Sequence, residues 1–326
     1  MLRMMLLLAF AVPLWAQTEA KKPADTAKKP DDKKPAEKPK GMTPTKENVP
    51  YGDHPRQVMD FYQAKSDTPT PVVFCIHGGG WNNGSKDSYR ARAEKYVKAG
   101  ISVIAINYRM VPEATTRKIE PPVKWPLSDA ARALQFAKSK AKEWNINPDR
   151  IGATGGSAGA CSSLWLAFHD DMADPKSNDP IAKQSTRLYT AAVQGAQTTL
   201  DPKVCREWMP NARYGGHAFA VEGKYSDVKQ FDKFLENREN LAAWIKEYSP
   251  LSHVSKDDPE VFLEYGAKKP PVKGEAQDDP THSALYGMIL EEKVKAEHAK
   301  MVLVYPGHTH EKYKTSADYL MDVLKK

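Results

Sequence analysis

Cysteine is scarce in this sequence: Cys75, Cys161 and Cys205 are the only three in 326 residues. Three thiols cannot all pair with one another, so at least one is free. No Cys-x-x-Cys pair or His/Cys cluster is present, and nothing in the pattern signals a metal. Cys75 falls in an apolar run and Cys161 in the first turn of a helix pattern, where a buried free thiol is the expected outcome. Long apolar runs are missing too. The N-terminal run from Met4 to Trp15 falls short of the roughly 20 residues that span a bilayer, so no stable membrane insertion is expected. Residues 17–47 have almost nothing apolar and cannot offset the entropy of ordering themselves.

What is present divides the chain in three. Arg3, a short apolar core and the small residue Ala16 read as a secretory signal over residues 1–16, which predicts export to the periplasm or beyond. Residues 17–47, rich in Lys and Pro, read as a disordered tether. Much of the formal charge of +7 sits in that tether and at Arg3, so the basic balance is no sign of a nucleic-acid partner. Residues 48–326 suit a single large α/β domain.

Within that domain, strand and helix patterns alternate. Pro71–Ile76 and Ile101–Ile106 are continuous apolar runs, as expected of strands buried on both faces. Arg150–Thr154, Leu188–Val193, Val261–Tyr265 and Met301–Tyr305 read as further strands. Tyr89–Lys98 reads as a helix closed by Gly100, and Ser128 and Asp129 as the cap of a long amphipathic helix reaching about Trp144. Such alternation predicts a mostly parallel sheet with helices on both faces. Residues 201–254 break the rhythm and read as an insertion over the carboxyl edge of the sheet.

Two motifs carry chemistry. Gly155-Gly156-Ser157-Ala158-Gly159 fits Gly-x-Ser-x-Gly between a strand and a helix, a turn that strains the serine and exposes its hydroxyl at a helix N-terminus. His77-Gly78-Gly79-Gly80-Trp81 follows the first buried strand, and its glycines leave backbone N–H groups open to an oxyanion. With the N–H of Ala158, those of Gly79 and Gly80 are the expected donors. A phosphate loop would need Gly-Lys-Ser/Thr, whereas Gly84-Ser85-Lys86 has the wrong order.

On these motifs, with Asn107-Tyr108-Arg109, Asp129 and Asn147-Pro148-Asp149-Arg150, the chain resembles the hormone-sensitive-lipase and feruloyl-esterase-like branches of the α/β-hydrolases. The resemblance is firm over residues 70–165 and general after about residue 200. It implies the α/β-hydrolase fold with a cap insertion, no cofactor, and a Ser/Asp/His triad that transfers acyl groups from an ester to water. Ser157 is the implied nucleophile. The implied base lies after the last strand, in Pro306-Gly307-His308-Thr309-His310, where the Pro-Gly pair favours His310 over His308. Lys269 stands where relatives carry the acid, and a cation there could not orient an imidazole. Asp279, in Asp278-Asp279-Pro280, takes that role by the family's Asp-Pro habit, with Asp278 second. Asp279 is equally suited to capping the helix that starts near His282. Arg109 and Asp129 resemble structural positions of the family.

The insertion carries Trp208, Tyr214, Phe219, Tyr225, Phe231, Phe234 and Trp244, which either wall an acyl pocket over Ser157 or pack the insertion onto the domain. The expectation is an exported serine carboxylic-ester hydrolase acting on a small or glycan-linked ester. The alternatives are a serine peptidase on the same fold and a non-catalytic binding protein with a lapsed triad.

Overall fold

The computed structural model describes residues 40–267 and 269–326. The expected signal (1–16) and the expected tether up to residue 39 lie outside the described residues. Among the described residues no helix is long and apolar enough to cross a membrane.

Eight strands form one sheet in the order β1-β2-β4-β3-β5-β6-β7-β8. These are β1 (Lys46–Pro50), β2 (Val58–Tyr62), β3 (Thr70–Ile76), β4 (Ser102–Ile106), β5 (Ile146–Gly156), β6 (Thr190–Gln194), β7 (Val261–Glu264) and β8 (Met301–Val304). From β4 to β8 every pairing is parallel, while β1 and β2 add antiparallel. The continuous apolar runs are explained by their two-sided burial. Val72, Phe74 and Ile76 of β3 enter one core with Ile104 and Ile106 of β4, and Val73, Cys75, Val103 and Ala105 enter a second core on the opposite face. Each large side chain so buried contributes about 1.5–3 kcal/mol. All three cysteines are buried and free, and burial raises each thiol pKa.

Three expectations need correction. The domain begins before residue 48: Pro44 is buried, Met42 packs against the second core, and β1 starts at Lys46 inside the expected tether. Neither β1 nor β2 is legible as a strand, because β1 is charged and Pro-containing and the apolar run of β2 is broken by Asp60. Asp60 is tolerated there because Lys86 Nζ stands 2.8 Å away and Arg90 3.5 Å away. Finally, Ser128 and Asp129 cap nothing. The helix runs Lys124–Ser139, and Asp129 is buried in its interior face. Trp144 falls in a separate short turn, Ala141–Trp144.

The insertion between β6 and β7 is helical, with helices Pro202–Trp208, Val228–Glu236 and Arg238–Tyr248. Trp208, Tyr214, Phe219, Phe231 and Phe234 are buried in the first core and Trp244 packs partly against it, so most of these aromatics hold the insertion on the domain. Tyr225 is the exception, with 41% of its surface exposed.

Candidate active site

The end of β5 turns directly into the helix Ala158–Phe168, and Ser157 sits at the turn with φ 55° and ψ −124°. A non-glycine residue in that region is strained by about 1–3 kcal/mol, so the surroundings must hold it. They do so by close approach. A Cβ on Gly159 would overlap the Ile76 carbonyl, and one on Gly155 would overlap the backbone of Gly159. The Ser157 N–H donates to the Gln194 carbonyl at 3.0 Å, tying the turn to β6.

Beside the elbow runs the glycine loop after β3. Gly78 lies against Gly156 and Ser157, leaving no room for a side chain. Gly79 and Gly80 adopt φ of 100° and 61°, and the turn closes where Asn82 and Asn83 N–H donate to the Gly79 carbonyl. Among the described residues, the N–H groups of Gly79 and Gly80 donate to no acceptor. The loop is held from below. His77 stacks on Tyr108 at 4.2 Å, its Nδ1–H donates to the Gly78 carbonyl, and the Tyr108 hydroxyl donates to the His77 carbonyl. Burial holds the His77 pKa down at about 4 in spite of that bond to Gly78, so the ring is a neutral structural piece. The Trp81 indole N–H donates to Ser162, pinning the loop to the first turns of the helix. From above, His217 Nε2–H donates to the Gly80 carbonyl at 2.9 Å, and the Tyr225 hydroxyl abuts Gly80.

Arg109 and Asp129 form the support that the sequence suggested. Arg109 reaches both carboxylate oxygens of Asp129 through Nε and Nη2, and its own N–H and Gln57 Nε2–H complete the bonds to that buried carboxylate. Neither side chain meets Ser157.

The imidazole that faces Ser157 is that of His282. Its Nε2 stands 2.9 Å from Ser157 Oγ, and its Nδ1 stands 2.7 Å from Asp279 Oδ2. His310 does not occupy this position. Its Nδ1 accepts from the N–H groups of Lys312 and Tyr313, and its ring stacks on Tyr313 at 5.2 Å. His308 stacks on Tyr305 and closes a tight turn with it, and Gly307 in that turn packs against Pro270. The sequence pointed to a histidine after β8, whereas the one that stands beside Ser157 comes from the connection after β7. The segment between β7 and the helix Leu285–Ala296 is long enough to bring its own histidine back over β6. Gln197 anchors it, donating from Nε2 to the Thr281 carbonyl at 2.5 Å, and Gly195 leaves room for the His282 ring. Asp279 and His282, three residues apart on one turn, were the available signal.

Asp279 serves the turn and the ring at once. Oδ1 accepts from the N–H groups of Thr281 and His282, while Oδ2 faces the His282 ring. Burial works against its ionisation, but the bond and charge of His282 outweigh that and hold its pKa below the usual range. Asp278 makes no such contact among the described residues, and Lys269 is exposed at the rim of a cavity of about 270 Å³. That cavity is lined by Pro270, Val272, Gln277, Asp279 and His282, on the His282 side of Ser157. A second, of about 340 Å³, lies between Asn82, Val111, His217 and Tyr225, beside the glycine loop.

A parallel sheet, a strained serine between strand and helix, and a histidine and aspartate behind it define an α/β-hydrolase. Residues 59–279 match the BD-FAE family, and the chain belongs to it. The esterase LipQ of Mycobacterium tuberculosis is 25% identical over 238 residues, 69% of this chain and 49% of that protein. The chain thus spans about half the length of this relative. A truncated carbohydrate esterase from gut microbiota superposes with a TM-score of 0.63 at 19% identity, covering 88% of this chain and all of that one. Esterase 2 of Thermogutta terrifontis, phosphonylated by sarin, gives 0.58 at 18% identity over 89% and 94% of the two chains.

Proposed function

We propose that this protein is a serine carboxylic-ester hydrolase in which Ser157, His282 and Asp279 form the triad. The observation that carries the reading is the unbroken chain of contacts from Ser157 Oγ through His282 to Asp279 Oδ2, built on a strained elbow. In the reaction, His282 Nε2 takes the hydroxyl proton as Ser157 attacks the ester carbonyl, and returns it to the departing alcohol. Asp279 accepts from Nδ1–H, which holds the tautomer that leaves Nε2 free and stabilises the imidazolium. The N–H groups of Gly79, Gly80 and Ala158 receive the oxyanion. Water then repeats the sequence on the acyl-enzyme.

The alcohol side of the substrate is assigned to the cavity next to His282, because the imidazole must reach the leaving oxygen. Carbohydrate-linked esters are the favoured class, a reading supported by the likeness to a carbohydrate esterase and by the polar side chains of Gln277, Glu275 and Lys269 among the residues lining the cavity. Export is part of the same reading, supported by Arg3 and the apolar run that follows it.

A fluorophosphonate probe tests the assignment against a fold whose triad has lapsed. The expected result is one adduct, mapped to Ser157, with matching loss of p-nitrophenyl acetate hydrolysis. Absence of labelling in folded protein, or labelling elsewhere, overturns it.

A further inference from the structure

At the far end of the helix that begins at Ala158, a second group of chemically capable side chains converges. His169 directly follows that helix, Glu247 lies on the insertion's helix Arg238–Tyr248, and His253 ends the short turn Pro250–His253. One nitrogen of each imidazole and a carboxylate oxygen of Glu247 lie within 4.8 Å of one another. We propose that His169, Glu247 and His253 bind a divalent transition-metal ion, with zinc the best fit.

Three features favour a metal over a chance cluster. First, the tautomers are set. His169 Nδ1 meets the Asp170 carbonyl at 2.9 Å and His253 Nε2 meets the Glu247 carbonyl at 2.6 Å. A carbonyl only accepts, so each of those nitrogens carries the proton, and a neutral ring then offers its other nitrogen as a lone pair. Metal-ligating histidines are oriented in this way by a second hydrogen bond. Second, the spacing suits a shared ion. His169 Nε2 stands 3.3 Å from Glu247 Oε1, and ligands about 2.0–2.1 Å from a tetrahedral zinc stand about 3.3 Å apart. With Nδ1 protonated, a neutral His169 would aim a lone pair at that carboxylate oxygen, a repulsive contact that a cation between them relieves. Third, the site has a built wall. Trp165 flanks the His169 ring at 4.7 Å and donates its indole N–H to the same Glu247 carbonyl that His253 uses.

Two imidazoles and one carboxylate form a ligand set suited to zinc, with the remaining position left to water. Hard ions such as magnesium and calcium prefer all-oxygen sites. Ser157 is at the other end of the 11-residue helix, about 16 Å away along its axis, so the ion would take no part in ester cleavage. It would instead clamp that helix to the insertion whose His217 and Tyr225 hold the glycine loop. Sequence inspection misses the group because its members come from three separate elements and include no cysteine.

The competing arrangement is a protonated His169 paired with Glu247 and no metal. Tag-free protein stripped with a chelator and titrated with zinc chloride in a calorimeter separates the two. The expected result is one equivalent bound, a rise in Tm of several degrees, and the visible absorption of tetrahedral cobalt when Co2+ replaces zinc. All three signals should be lost in His169→Ala and in His253→Ala. Glu247→Gln, at an exposed side chain that leaves the fold intact, should weaken binding by tenfold or more while ester turnover without metal is retained. No binding to the wild-type protein overturns the proposal, as does binding that survives in the His169→Ala/His253→Ala double variant.

Discussion

His282 Nε2 stands 2.9 Å from Ser157 Oγ although 125 residues separate them in the chain. That distance is within reach for direct proton transfer. The two residues should therefore fail together. Ser157→Ala and His282→Ala should each lower hydrolysis of short p-nitrophenyl esters by about 10⁴ or more with the fold retained. His310→Ala should stay within about twofold of wild type, since its ring serves only a local turn. Steady-state turnover of the three variants decides it. A collapse in His310→Ala with an active His282→Ala would return the base to the loop after β8.

The two oxygens of Asp279 have separable duties. Asparagine keeps an oxygen for the N–H groups of Thr281 and His282, but sets an amide where the carboxylate met His282 Nδ1. The imidazole then favours the wrong tautomer. Turnover in Asp279→Asn should fall by at least about a hundredfold, with Tm nearly unchanged because capping survives. Asp278→Asn should behave as wild type. Full activity in Asp279→Asn would separate that carboxylate from the chemistry.

Gly159 and Gly100 offer a contrast in stability. An added methyl at Gly159 drives into the Ile76 carbonyl, which belongs to a central strand and cannot yield. Gly159→Ala should cost at least about 2 kcal/mol and misplace Ser157 as well. Gly100, with φ 81° and open space around it, should lose only about 1 kcal/mol as alanine, from backbone strain alone. Denaturant titration of both variants measures the difference. Equal losses would mean that the elbow packs less tightly than its geometry indicates.

Asp258 gives a pH-dependent test away from the site. Burial pushes its pKa up to about 6, against the partial offset of the Ser255 N–H and of Arg187 at 3.5 Å. A carboxyl whose folded pKa is raised holds extra protons in the native state, so stability falls as pH rises from the ordinary carboxylate range through about 6. Asp258→Asn removes that charge and keeps an acceptor for Ser255. Its Tm should exceed wild type by a few degrees at pH 7, and the two should converge near pH 4. A lower Tm for the variant at pH 7 would show that the pairing with Arg187 outweighs desolvation.

Features set by neighbouring residues were legible in the chain itself. Buried strands announce themselves as apolar runs because both faces of the sheet are covered, as at Val72–Ile76. The elbow at Ser157 and the loop at Gly78–Gly80 follow from local stereochemistry, since only small residues permit those turns and approaches. Asp279 was singled out through its proline neighbour, and its contact with His282 is itself local, three residues along one turn. The choice of His282 over His310 was not local. Both histidines lie on connections long enough to reach the serine, and closing either loop differs little in entropy. The outcome rests on long-range contacts, Gln197 with Thr281 and Gly195 beneath the imidazole, that appear only once β6 and the β7 connection are packed. The pairing of the charged strand β1 with β2, and the meeting of His169, Glu247 and His253, were likewise decided by tertiary structure. β1 and β2 are neighbours in the chain, but their residue pattern does not announce a strand pair, and His169 lies 78 residues before the Glu247 it meets.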